Sequence, residues 1–219
     1  MDLPILDTAD ARKRMVDSQI RPNKVNDAGV LDGMRHLKRE LFVPAALADF
    51  AYIDEDIPLG NGRVLMEPMI LARLLQAAAV KPKEKVLVAG SGTGYGAALL
   101  HGMGAHVVAL EDDAALRAIA ARTLPPEVKQ VVGSPASGAP EFGPYDVILI
   151  EGGVPQIPPA LSAQLSPVGR IVTVVVPSDG VGIAVRADPA EAGLKLTKLF
   201  DCQTPCLPSL LPKTGFIFD

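Results

Sequence analysis

Two hydrophobic rhythms divide the chain. Up to about residue 80, apolar positions recur at helical spacing: Met15, Val16 and Ile20 share one face, and Val30, Leu31, Met34 and Leu37 repeat the pattern. Asn26 or Asp27 supplies a polar cap for the second of these helices. Pro44 opens a short helix through Phe50 as a first-position proline, and another helix follows Pro68 with Ile70, Leu71, Leu74 and Leu75 inward. Between them, residues 51–67 mix Pro58, Gly60 and Gly62 with hydrophobics and predict an irregular loop.

From residue 85 the rhythm changes to short apolar runs that alternate with helical stretches. Lys85-Val-Leu-Val-Ala, His106-Val-Val-Ala-Leu-Glu, Val128-Lys-Gln-Val-Val, Tyr145-Asp-Val-Ile-Leu-Ile and Arg170-Ile-Val-Thr-Val-Val-Val read as strands. Residues 95–103 and 114–124 read as the helices between the first of them. Near-continuous apolar strands alternating with helices predict an α/β fold, a doubly wound and mostly parallel sheet covered on both faces. Strand candidates at 181–187, 195–201 and 214–218 are less regular and predict antiparallel edge strands at the C-terminal end. The polar turn Lys81-Pro-Lys-Glu-Lys marks a soft boundary, with an N-terminal helical region over 1–80 and the sheet domain over 81–219.

Composition narrows the function classes. The 219 residues carry 21 basic and 25 acidic side chains, a formal charge of −4, which removes the electrostatic reason to expect nucleic-acid binding. No apolar run reaches the roughly 20 residues that span a bilayer, and the N-terminus lacks the basic and apolar regions of a signal peptide. A cytoplasmic protein is the expectation. Cys202 and Cys206, with no histidine nearby, do not make a zinc site and read as two reduced thiols. His36, His101 and His106 are scattered, and no metal site is expected.

The sharpest local signal is Val86-Leu-Val-Ala-Gly90-Ser91-Gly92-Thr93-Gly94-Tyr95. Glycines at a strand end allow a tight turn and the close approach of a ligand. Glu111, 21 residues after Gly90, ends the next strand, where a carboxylate can accept hydrogen bonds from ribose hydroxyls. A dinucleotide fingerprint would place a small residue at 95, and this chain has Tyr95. Glu111 also repels a 2′-phosphate. S-adenosylmethionine, an adenosine without phosphate, fits both observations. Glu111 and Asp112 can equally be read as an acidic pair before a helix N-terminus, and the two roles are compatible. Glu151, at the end of a buried strand, faces either ligand or solvent.

The chain resembles the protein-L-isoaspartate O-methyltransferase family over residues 14–177. The motifs that carry the resemblance are Met15-Val-Asp-Ser-Gln-Ile, Val30-Leu-Asp-Gly-Met, Arg39-Glu-Leu-Phe-Val-Pro, the stretch from Ala51 to Arg63, the glycine loop with Tyr95, Pro144-Tyr-Asp-Val-Ile, Gly152-Gly-Val-Pro and Gln164-Leu-Ser-Pro-Val-Gly-Arg. The resemblance implies a Rossmann-like methyltransferase fold, S-adenosylmethionine as methyl donor and S-adenosylhomocysteine as product. It implies transfer to the carboxyl of an isoaspartyl residue in a damaged protein or peptide, a repair reaction. The cofactor-binding residues expected on this basis are Gly90, Ser91, Gly92, Gly94, Tyr95, Glu111, Asp112, Ser134 and Glu151, with Arg63, Met66, Glu67 and Pro68 on the substrate side.

The chain departs from the family where the acceptor binds. The family's Thr-Ile-Ser-x-Pro loop is Val64-Leu65-Met66-Glu67-Pro68 here, so both hydroxyls are lost, and a Gly-Asp-Gly stretch that helps hold adenine is Gly133-Ser134-Pro135. A carboxylate is already ionised at neutral pH, so its methylation needs alignment more than a base. An apolar Met66 would make an anionic acceptor costly to bind unless Arg63 or Arg73 paired with it, although a core residue on a loop that packs down is the more common role for a Met. A methyltransferase acting on another acceptor, such as a small molecule, and a non-catalytic binding protein on the same fold remain as alternatives.

Overall fold

A computed structural model describes residues 8–211. The N-terminal part is helical, as its spacing predicts. Helix α1 (Thr8–Arg14) runs into a wider π-helical turn over Met15–Ile20, and α2 (Ala28–His36) starts at Asp27, whose carboxylate accepts from the amide of Val30 at 2.9 Å. The segment after Pro44 forms a tighter 3₁₀ turn over Ala45–Phe50 instead of an α-helix. Residues 51–67 are not wholly irregular: β1 (Ile57–Gly60) and β2 (Arg63–Leu65) pair as a small antiparallel hairpin. Its turn is made by Gly60, Asn61 and Gly62, all at positive φ. Helix α3 (Pro68–Ala78) follows with proline in its first turn, and Ile70, Leu71, Leu74 and Leu75 are all buried.

The remainder builds one seven-stranded sheet. Strand β3 (Lys85–Ala89), α4 (Tyr95–Gly102), β4 (His106–Glu111), α5 (Ala114–Thr123), β5 (Lys129–Val132), β6 (Tyr145–Val154), α6 (Pro159–Ser162) and β7 (Leu165–Val175) alternate along the chain. They are followed by β8 (Ile183–Ala190) and β9 (Gly193–Asp201). The spatial order is β5-β4-β3-β6-β7-β8-β9; the first five run parallel and the last two antiparallel. The expected strands at 181–187 and 195–201 are thus β8 and β9, and the candidate at 214–218 lies outside the described residues.

Strand side chains alternate between two cores. Val86, Val88, Val147 and Leu149 face one core together with Met15, Met34, Leu71 and Leu75 from the N-terminal helices. Leu87, Ala89, Ile148 and Ile150 face the other, with Leu161 and Leu207. The helical region therefore shares a continuous core with the sheet. Arg170 fastens α3 to it: the guanidinium grips Glu84 with two nitrogens at 2.8 Å and donates to the carbonyls of Ala78 and Ala79 at the helix end. Among the described residues no helix is long and apolar enough to cross a membrane, and no cluster of side chains could hold a metal ion.

Two features position the site. Strands β3 and β6 are neighbours, and the chain leaves β3 toward β4 on one side but returns to β6 on the other, which puts the sheet's switch point at their carboxyl ends. After β9 the chain recrosses that same end of the sheet. The amide of Gly153 donates to Pro205 at 2.8 Å, and the amide of Leu207 donates to Gly153 at 2.9 Å. Cys206 thereby bridges to the end of β6. Both cysteines are free thiols, Cys202 buried and Cys206 half-buried.

Candidate active site

The glycine turn has the geometry its sequence predicts. Buried β3 ends at Ala89, and Gly90, Gly92 and Gly94 all take positive φ, at 71°, 57° and 95°. The amides of Gly90 and Ser91 both donate to the carbonyl of Leu110, which ties the turn to β4. Gly94 donates to Ser91 and sits at the N-terminal end of α4, which Tyr95 opens as a fully buried residue. Tyr95 packs edge-on against Phe42, with the Arg39 guanidinium 4.8 Å from its ring centre. The bulky residue that argued against a dinucleotide site is thus a core anchor between the glycine turn and the N-terminal region.

Glu111 ends β4 beside this turn, 1 % exposed. Its carboxylate accepts from Gly92 at 2.6 Å and from the amides of Asp112 and Asp113 at 3.0 Å. Arg63 completes the set, with its two terminal nitrogens at 2.6 and 2.8 Å from the two carboxylate oxygens, and it also donates to the carbonyl of Gly90 at 2.9 Å. Burial alone would raise the Glu111 carboxyl; the Arg63 hydrogen bonds and charge overcome it and hold the group below its ordinary value. Arg63 was expected on the substrate side. The structure places it over the glycine turn, paired with Glu111, because the β1–β2 hairpin carries it there.

The substrate-side loop is also differently disposed. Met66 is 1 % exposed, a core residue, and its backbone carbonyl accepts from Arg39 at 2.7 Å. Pro68 is buried in the first turn of α3. Glu67 is half-buried, and its amide donates to Asp56 at 2.6 Å. Burial, followed by repulsion from Asp54, Asp56 and Glu55, pushes the Glu67 carboxyl up to about 7. The second oxygen of Asp56 accepts from the hydroxyl of Thr204 at 2.9 Å. Arg73, the other candidate countercharge, stacks 3.6 Å from the centre of the Phe200 ring. Arg63 has its donors engaged by Glu111 and Gly90, whereas Arg73 is held only by the ring stack.

The other expected residues divide. Asp112 is partly exposed and 3.7 Å from Arg63. Ser134 uses its hydroxyl to accept from the amide of Ala136, an internal turn contact at the end of β5. Ser91 is buried within the glycine turn. Glu151 is buried at the carboxyl end of β6, close enough to α4 that a Cβ on Gly96 would lie 2.5 Å from its carboxyl oxygen. Burial pushes the Glu151 carboxyl up to about 8, against the pull of Arg63 and Arg39. Four residues that shape this region were not singled out from the sequence: Arg39, Asp56, Thr204 and Leu207. Near them the Asn61-Gly62 dipeptide is a local hairpin-turn signal that the irregular-loop reading of 51–67 passed over.

The residue types suit a nucleoside: glycines at positive φ, a carboxylate at the end of the adjacent strand and the sheet's switch point beside them, with Leu207 and Arg63 packed over the turn. The comparisons agree with that chemistry. Residues 10–197 match the family Protein-L-isoaspartate(D-aspartate) O-methyltransferase (PCMT). A protein-L-isoaspartate O-methyltransferase of Methylorubrum extorquens is 43 % identical over 180 residues, covering 81 % of this chain and 79 % of the relative. One from Koribacter versatilis is 38 % identical over 196 residues, covering 88 % of each. Among solved structures, a protein-L-isoaspartate O-methyltransferase superposes with a TM-score of 0.78 at 22 % identity, covering 91 % of this chain and 67 % of that one. A Plasmodium falciparum structure with S-adenosyl-L-homocysteine bound has a TM-score of 0.76 at 19 % identity, covering 90 % and 98 %. The fold, the glycine turn and the identity spread over most of the length lead to one assignment: the chain belongs to the protein-L-isoaspartate O-methyltransferase family.

Proposed function

We propose that the protein is an S-adenosylmethionine-dependent O-methyltransferase that esterifies the carboxyl of isoaspartyl residues in damaged proteins, and that it works in the cytoplasm. The observation that carries this reading is the buried Glu111 beside the Gly90–Gly94 turn at the switch point of the sheet, in a chain matched to the family over residues 10–197. When bound, S-adenosylmethionine supplies the methyl group and leaves as S-adenosylhomocysteine. Gly90 and Gly92 allow the backbone to approach the ligand, and Asp112, with Glu111 once Arg63 releases it, is assigned to its ribose hydroxyls. Ser91, Gly94 and Tyr95 hold the turn, Ser134 stands at the end of β5, and Glu151 forms the floor toward β6. Glu67 and Pro68 border the acceptor side over the buried Met66.

Transfer to a carboxylate needs no base from the protein, only alignment and exclusion of water. The test is incubation of the purified protein with labelled methyl donor and two peptides of one sequence, one with isoaspartate and one with aspartate. Base-labile label on the isoaspartyl peptide alone is the expected result; label on neither, with donor binding intact, removes the acceptor assignment.

A second reading, methyl transfer to a neutral or cationic acceptor, is favoured by one specific feature. Asp54, Glu55, Asp56 and Glu67 cluster on the acceptor side, while Arg63 is bound to Glu111. An anionic acceptor would meet net repulsion there.

A further inference from the structure

Glu111 accepts five hydrogen bonds from the protein itself: two from Arg63 and one each from the amides of Gly92, Asp112 and Asp113. A carboxylate offers about four acceptor positions, so none is left for a ribose hydroxyl. The space above the glycines is also filled. A Cβ on Gly90 would lie 2.8 Å from the Leu207 side chain and 3.5 Å from a guanidinium nitrogen of Arg63. A Cβ on Gly152 would lie 2.6 Å from Leu207. Leu207 is 3 % exposed and belongs to the core on that face of the sheet. The cradle opened by two glycines is therefore occupied by one leucine and one arginine of the same chain.

We infer that Arg63 and the C-terminal segment carrying Leu207 are internal competitors of the methyl donor: they close the cofactor cradle, and the donor enters only as both withdraw. The proposal rests on the cofactor reading above and adds what controls access to it. Opening requires two elements to shift, each anchored on one side by buried side chains: Ile57 and Leu65 of the hairpin, and Leu207 itself. Arg63 rides on a two-stranded hairpin that pairs only with itself, and Leu207 on an irregular segment held to β6 by two amide bonds at Gly153. The Thr204 hydroxyl on Asp56 joins that segment to the loop after the 3₁₀ turn, and Asp56 in turn holds the amide of Glu67. Displacing the segment thus also releases one restraint on the acceptor side. Donor affinity is reduced by the fraction of time the cradle stands closed.

Calorimetric titration of the full chain with S-adenosylhomocysteine tests this, comparing the unaltered protein with Leu207→Ala, Arg63→Gln and the double variant. Leu207→Ala keeps the Arg63–Glu111 pair and guards against a folding defect in the arginine variants. Leu207→Ala is expected to bind about tenfold tighter than the unaltered protein, and the double variant tighter still. In the unaltered protein, saturating ligand should speed hydrogen exchange at the amide of Leu207. Equal affinity in all four proteins, with that amide unchanged by ligand, overturns the closure and leaves the cofactor site standing. Absence of binding in all four folded proteins overturns the cofactor site and the closure with it.

Discussion

Asp56 and Thr204 are joined by a 2.9 Å hydrogen bond across 148 residues of sequence, and through the other carboxylate oxygen Asp56 holds the amide of Glu67. One carboxylate thus connects the segment over the glycine turn to the loop that begins α3. Thr204 is 2 % exposed, so its hydroxyl has no water to turn to. Thr204→Val should destabilise the protein by about 1–3 kcal/mol. The loss should appear first as faster hydrogen exchange at the amides of Gly153 and Leu207, with the β3–β4 amides unaffected until global unfolding. Uniform acceleration across the sheet would contradict that local role.

Arg39 is fully buried and donates to the carbonyls of Ala51 and Met66, both at 2.7 Å, while lying over Tyr95. Burial holds its guanidinium below the usual arginine value. Lysine cannot reproduce the fork or the stacking. Arg39→Lys should cost on the order of 2–3 kcal/mol, read as a lower urea midpoint with an unchanged slope.

Met66→Ala isolates packing from hydrogen bonding, because the bond from Arg39 goes to the Met66 backbone carbonyl. A side chain 1 % exposed that is cut back to a methyl group should cost about 2–5 kcal/mol. A cost below about 0.5 kcal/mol would show that residue 66 lines an open pocket and not the core.

The pH dependence follows from two raised carboxyls, Glu151 at about 8 and Glu67 at about 7, both ordinarily near 4.5. Across pH 4.5 to 8 the folded protein holds protons that the unfolded chain has lost, so stability falls as pH rises through that window. Glu111 is lowered and contributes a loss only on the acid side of it. Melting temperature should therefore be higher at pH 5.5 than at pH 8, by on the order of 5 °C. Glu151→Gln should flatten the upper part of the curve. An unaltered slope in that variant would assign the effect elsewhere.

The sheet was legible because parallel strands buried on both faces show as unbroken apolar runs, and β3, β4, β6 and the second half of β7 sit on theirs. The glycine turn and Glu111 were legible because their spacing is local. The β1–β2 hairpin was not, since strands of four and three residues with Pro58 inside leave no alternation to detect. The pairing of Arg63 with Glu111 was not legible for the same reason: the partner lies 48 residues away, and only the hairpin's path brings them together. Leu207 sits in a segment without periodicity, held to β6 largely by backbone bonds that any sequence could make. For Met66 the sequence left a pocket and a core reading open, and its burial at 1 % exposure makes it core.

The crossing of Cys206 over Gly153 also sets an order of events during synthesis. The strands that frame the switch point are complete once Val154 has been added, and Thr204 follows 50 residues later. At about 5–20 residues per second, the ribosome takes roughly 3–10 s to make that stretch. A nascent chain therefore has its glycine turn covered by Arg63 alone until the segment that carries Leu207 has been made.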